Sequence, residues 1–271
     1  PDWDLSRVVD TSFMFSSNVR FNQDISKWNM ASVTTMVHMF SYAFAFNSNI
    51  STWDVSKVTS LSHVFYNAKA FNSDLSAWDV SKVATLHKTF AGANVFNSDL
   101  STWDVSKVTN LENTFGASVF NSDLSAWDVS KVTNMIRTFA SAQAFNSDLS
   151  TWDTSKVTKF KEMFRNAHAY NADVSKWDVA GSTDMESMFF SANAFNRTIC
   201  GTTWNDLNAF SGSNGQYGCC AIGSYMFDPF YQAHPTNSTP AGTTVTMNYE
   251  RFIDQDHYRS GLFTLRKLIS N

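Results

Sequence analysis

Charged side chains are scarce in this chain, at 16% of 271 residues, against about 25% in an ordinary globular domain. Twenty Lys and Arg stand against 24 Asp and Glu, for a net charge of −4. That balance excludes nucleic-acid binding by bulk positive charge. Glycine (10) and proline (4) are also few, while 43% of residues are hydrophobic. Such a chain can bury a sizeable core, which excludes general disorder. No apolar run approaches the roughly 20 residues a membrane helix needs. Gly-rich phosphate loops, His-Glu-x-x-His and Cys-x-x-Cys pairs are all missing, and with them the usual signatures of nucleotide, zinc and redox chemistry.

What the chain does contain is uncharged polarity and aromatic rings. It has 36 Ser, 24 Asn and 24 Phe. Tryptophans fall at 3, 28, 53, 78, 103, 127, 152 and 177, with Trp204 following. The interval is 25 residues, apart from one of 24 and a last one of 27. The short interval loses its residue between Phe115 and Phe120, and the long one gains residues around Cys200-Gly201. A fixed period of this length marks a repeat architecture.

Each repeat divides into two patterns. Asn-Ser-Asp-Leu-Ser, as at 72–76, alternates around one apolar residue and predicts a short strand. Val132, Met135, Phe139 and Ala142 recur at spacings of three and four, as do Val33, Met36, Met39, Phe40 and Ala43. That predicts a short helix or 3₁₀ turn. Neither piece can bury its apolar side alone, so repeats must stack. The expected fold is an α/β solenoid of eight to nine coils with a parallel sheet on one side, roughly 40 Å long at the usual strand spacing.

The run Phe-Asn-Ser-Asp-Leu-Ser-Thr-Trp-Asp-Val-Ser-Lys-Val-Thr-Asn at 96–110, followed by Met/Leu-x-x-Met/Thr-Phe, resembles the BspA-like leucine-rich repeats. It is most similar to the bacterial surface protein 26-residue type, and the likeness runs over about residues 1–204. The resemblance implies a leucine-rich-repeat solenoid on a secreted or surface protein, linked to adhesion or partner binding, and no reaction. Ser73 stands where that pattern has Leu, and Trp78 where it has Asn or Phe.

Within the repeats, residues fall into columns. A chain that turns after Ser76 points Trp78 inward with Val80 and Val83; the alternative is an exposed aromatic stripe that stacks on sugar rings. Asn22, Asn47, Asn72 and their successors predict a structural ladder of amides. Asp4, Asp54, Asp79, Asp104, Asp128, Asp153 and Asp178 follow the tryptophans, with Arg7, Lys57, Lys82, Lys107, Lys131 or Lys156 three residues on. These predict a surface ladder of weak ion pairs. Asp24, Asp74, Asp99, Asp123, Asp148 and Asp173 have no such partner. They form the candidate binding face, expected on the strand, and the readings open there are solvated acids held by neighbouring Ser, calcium bridging, or a cationic partner. No cofactor is otherwise implied. His38 and His63 lie one repeat apart, but Lys88, Asn113, Arg137 and Glu162 continue their column, which fits a variable exposed face better than a metal site.

Composition shifts around Trp204: seven of ten Gly lie at or beyond Gly201, and three of four Pro lie at or beyond Pro229. The repeats therefore occupy 1–204, and 205–271 is expected to cap them, since a terminal repeat exposes its interior. A strand is expected over 243–247 and a helix or strand over 263–269. Cys200 is expected to bridge to Cys219 or Cys220, because adjacent cysteines seldom pair. Sequons at Asn49, Asn196 and Asn237 are glycosylation candidates. The chain opens at Pro1 inside a repeat, which fits a removed signal peptide. Together these predict a non-enzymatic extracellular or cell-surface scaffold. It would bind a protein or surface glycan, or copies of itself, or serve as a structural component of a surface layer. The alternative is a carbohydrate-binding module using the polar strand face or exposed aromatics.

Overall fold

The structure is a computed structural model, and it describes residues 3–199, 204, 220–222, 244–249 and 261–266. The chain divides into two compact units, Pro1–Tyr231 and Gln232–Asn271, whereas the change in composition falls around Trp204.

In the first unit each repeat touches the next in parallel. Single-residue bridges run from Asp10 to Thr35, Ser60, Thr85, Asn110, Asn134, Lys159 and Asp184 in turn. Around them the 25-residue period becomes a hydrogen-bond pattern: Thr34 N–H donates to Val9 O, Thr59 to Thr34 and Ala84 to Thr59. No strand longer than such a bridge forms over residues 3–196. The Asn-Ser-Asp-Leu-Ser segments, expected as strands, form no strand ladder, and side chains link them instead.

The expected helix is also replaced, by a run of tight turns. Met14, Ser16 and Asn18 donate their N–H groups to residues three back, while Phe13, Phe15 and Ser17 donate to Val37, Met39 and Ser41 of the next repeat. Alternate amides thus serve the turn and the neighbouring repeat. Two left-handed residues per repeat make this possible. One column is Phe13, His38, His63, Lys88, Asn113, Arg137, Glu162 and Ser187, with φ between 51° and 61°. The other includes Ser17, Tyr42, Asn67, Gly92, Ser141 and Asn166. A left-handed non-glycine residue costs about 1–2 kcal/mol. It persists where surrounding bonds over-determine the backbone, as where His38 N–H meets Ser62 O at 3.1 Å. The apolar spacing of three and four that suggested a helix comes from these turns, whose Val132, Met135, Phe139 and Ala142 are all buried.

The core is one continuous cluster from Leu5 to Trp204. Two phenylalanine files run through it, Phe40–Phe65–Phe90–Phe115 and Phe46–Phe71–Phe96–Phe120, with neighbours in a file 5.7–5.9 Å apart. Across the files Phe40 faces Phe46 at 3.8 Å, nearly parallel. The tryptophans from Trp28 to Trp177 are 6% exposed or less, so the sugar-stacking tryptophan stripe does not exist. Each indole from Trp53 to Trp177 donates to the carbonyl of the apolar strand-segment residue one repeat back, as Trp78 Nε1 does to Ile50 O at 3.0 Å.

At the end of this unit β1 (Arg197–Ile199) pairs antiparallel with β2 (Cys220–Ile222), placing Ile199 opposite Cys220. In the second unit β3 (Thr244–Tyr249) pairs antiparallel with β4 (Gly261–Arg266). Those strands overlap the elements expected over 243–247 and 263–269. Cys200 and Cys219, the side chain of Cys220, Asn237 and the rest of the expected cap lie outside the described residues.

Candidate functional site

Two surfaces compete for a role. The first is the wall carrying the acidic column. Asp24, Asp74, Asp99, Asp123, Asp148 and Asp173 are all exposed. Each accepts the backbone N–H of the serine two residues on, at 2.8–3.0 Å. This small turn is what an Asp side chain makes when it takes a backbone donor locally. The N–H and hydroxyl of Ser26, Ser76, Ser125 and Ser175 hold Asp24, Asp74, Asp123 and Asp173 below the ordinary carboxylate range. Among the described residues no three acidic, His or Cys side chains gather as a metal site would require.

The paired charge columns are corrected by the same geometry. Asp54, Asp79, Asp104, Asp128 and Asp153 accept from Ser56, Ser81, Ser106, Ser130 and Ser155. Among the described residues none of them forms an ion pair within 4 Å. The carboxylate is taken by its own backbone, and the lysine is left in solvent.

The amide ladder shares this wall. Asn22 Oδ1 accepts Asn47 N–H at 2.8 Å, and the bond repeats through Asn72, Asn97, Asn121, Asn146 and Asn171 to Asn196. It takes the place of the missing strand ladder. A depression of about 420 Å³ opens late on the wall, between Asp148, Asp173, Lys176 and Arg197. Here Ala172 stands where earlier repeats carry a serine such as Ser147, whose hydroxyl donates to Ser122 O.

The second surface is the face of the tight turns, which the sequence did not single out as a site. It changes from repeat to repeat. Early on it is aromatic: Phe13 stacks on His38 and His38 on His63, at 4.8 and 4.1 Å, and His87 meets His63 edge-on at 4.6 Å. Tyr42 packs edge-on against Tyr66 at 5.2 Å, and Lys69 lies over Phe44. Burial, with the neighbouring His38, His87 and Lys88 charges, lowers His63 to about 4. Later the face is charged. Arg137 clasps Glu162 through two bonds of 2.9 and 3.1 Å, and Arg165 approaches the same carboxylate at 3.6 Å. Burial opposes ionisation of Glu162, but the bonds and charges of Arg137 and Arg165 outweigh it and keep its carboxyl below the usual range. The signal that marks this face is the contrast between its variable columns and the constant ones beside them.

A family model described as "Mycoplasma protein of unknown function, DUF285" matches residues 1–103 and again 84–204. The chain belongs to that family. No curated protein and no solved structure matches it. Membership of DUF285 accounts for the repeats and carries no activity with it. For this DUF285 chain the surface must therefore speak for itself. Among its described residues no helix is long and apolar enough to cross a membrane.

Proposed function

We propose that this DUF285 chain is a BspA-like, leucine-rich-repeat-type solenoid with a C-terminal cap. In this reading it acts without chemistry, as an extracellular or cell-surface scaffold that binds another macromolecule. One observation carries it. The constant columns are consumed by structure, as buried rings, amide rungs and Asp-held turns, whereas the variable columns gather on the turn face. In stacked-repeat proteins a face that varies among equivalent repeats is where partners are met. The exposed positions of Asn49 and Asn196 are compatible with glycosylation and so with an outside location.

The test compares the two surfaces. Purified protein is titrated onto intact cells and onto immobilised cell-surface glycoproteins. A variant with Tyr42→Ser, Phe44→Asn and Tyr66→Ala, residue types that those columns already carry in other repeats, should lose binding at least tenfold. Asp74→Asn with Asp99→Asn and Asp123→Asn should leave it unchanged. The opposite result would move the function to the acidic wall. Absence of binding in the unaltered protein would sink the scaffold reading.

A further inference from the structure

Midway along the turn face the surface dips into a shallow groove of about 320 Å³. Its floor is built from the smallest side chains the columns carry, Gly92, Gly116 and Ala117. The two glycines leave space that neighbouring amides occupy. A Cβ on Gly92 would fall 2.2 Å from Asn67 Oδ1, and one on Gly116 would fall 1.8 Å from Asn113 Oδ1. The absent side chains thus make room for two amide oxygens over the floor, and Gly92 also adopts φ 71°.

The ends of the groove differ. On the side of the earlier repeats the lining includes Tyr66, half-buried. On the side of the later repeats stand Arg137 and Arg165, whose side chains are 52% and 40% exposed, against Glu162 at 9%. Two guanidinium groups share one carboxylate, and that carboxylate is covered. The groove therefore carries surplus positive charge on a chain whose net charge is −4. Asn166 adds an amide beside Ser141. Amides and hydroxyls that both donate and accept suit hydroxyl-rich rings. An exposed guanidinium with spare N–H groups suits a carboxylate, and an aromatic side chain suits the flat apolar face of a sugar. Nothing in the groove forms the deep apolar pocket that an anchoring peptide side chain would fill.

We propose that this groove binds an acidic polysaccharide, a sugar chain whose rings carry carboxylates. The proposal rests on the macromolecule-binding reading above and names the ligand class. Arg165 and the free edge of Arg137 meet the carboxylate, Tyr66 meets a ring face, and the asparagines bond ring hydroxyls.

Biolayer interferometry of the full chain on immobilised polygalacturonate tests it, with neutral dextran, heparin and poly-glutamate as comparators. The expected result is saturable, salt-sensitive binding to polygalacturonate and none to dextran. Arg165→Gln should weaken it at least tenfold. Ala117→Asp should do the same by setting a negative charge on the exposed floor, at a left-handed position that Asp tolerates. Both variants keep the Arg137–Glu162 clasp, and unchanged urea midpoints verify that they fold. Asp99→Asn with Asp123→Asn should bind as the parent does. Binding that survives Ala117→Asp overturns the proposal. Equal binding to poly-glutamate overturns it in favour of an acidic peptide, and binding to heparin alone overturns the carboxylate assignment. Failure on every acidic polymer overturns it too, while the cell-binding variants still report separately on the scaffold reading.

Discussion

The wall and the turn face are made by the same repeats and differ in what their residues are free to do. On the wall, Asn97 must be Asn, since its amide oxygen receives the N–H of Asn121. Its neighbour Asp99 must hold the N–H of Ser101. Trp103 must fill the core and reach Leu75 O. On the turn face the bonds between repeats are backbone to backbone, as from His63 N–H to His87 O, and leave the side chain unspecified. Phe, His, Lys, Asn, Arg, Glu and Ser therefore occupy one left-handed column. Repetition follows the side chains that hold the backbone and core; variation follows the side chains that the fold leaves unspecified.

The largest test of that contrast sets one substitution on each side. Trp78→Ala removes a ring 3% exposed and its indole bond, and should cost about 3–5 kcal/mol. Tyr42→Ser changes an exposed turn-face residue to one that its column already carries, and should move stability by less than about 0.5 kcal/mol. Urea melts of the two variants measure both. Comparable losses would erase the distinction between the surfaces.

A smaller effect comes from an exception inside the core. Tyr170 stands in a file that is Phe in the other repeats, and its ring lies 3.8 Å from Phe164. Its hydroxyl is buried with no hydrogen-bond partner among the described residues, and burial drives the phenol well above its ordinary pKa. An unsatisfied buried hydroxyl costs about 1–3 kcal/mol. Tyr170→Phe should therefore raise stability by about 1 kcal/mol or more, read from the urea midpoint. A loss on substitution would show the hydroxyl to be bonded after all.

Much of the core could be read from the sequence, because Trp78, Val83 and Phe90 recur at a period no surface function needs. The turns could not. Helix and tight-turn stack place apolar residues at the same intervals of three and four, as at Val132, Met135 and Phe139, and periodicity cannot separate them. Left-handed backbone is ordinarily signalled by Gly or Asn. Here Asn67, Gly92 and Asn166 carried that signal in one column, but Phe13, His38 and Arg137 hid it in the other. The Asp–Lys pairing failed for a local reason: a serine N–H two residues away reaches Asp79 before Lys82 can. The candidate site was least legible, since the groove needs Tyr66, Gly92, Gly116, Arg137 and Arg165 from different repeats, and no single repeat contains it.

The smallest expected effect separates the two surfaces by pH. On the turn face His63 sits between His38 and His87, with Phe13 beyond His38, Tyr66 edge-on, and Lys88 and Glu112 nearby. Its folded pKa is about 4 against an ordinary 6.5. The unfolded chain thus binds a proton before the folded one does, and stability present above pH 6.5 is lost as pH falls toward 4. The residue is only partly buried, so screening reduces this to about 1 kcal/mol. On the wall the depressed carboxylates of Asp74 and Asp123 act lower: their contribution is intact above the ordinary 3.8 and is lost as pH falls through the folded values. Between pH 7 and pH 5 the response of the described residues should come from the turn face. His63→Asn keeps a residue type that the same column tolerates at Asn113. It should flatten the fall in urea midpoint over that interval, while leaving the steeper loss below pH 4 in place. An equal fall between pH 7 and pH 5 in parent and variant would remove His63 as the source of the mild-acid response and leave it to His38 and His87, which burial also lowers.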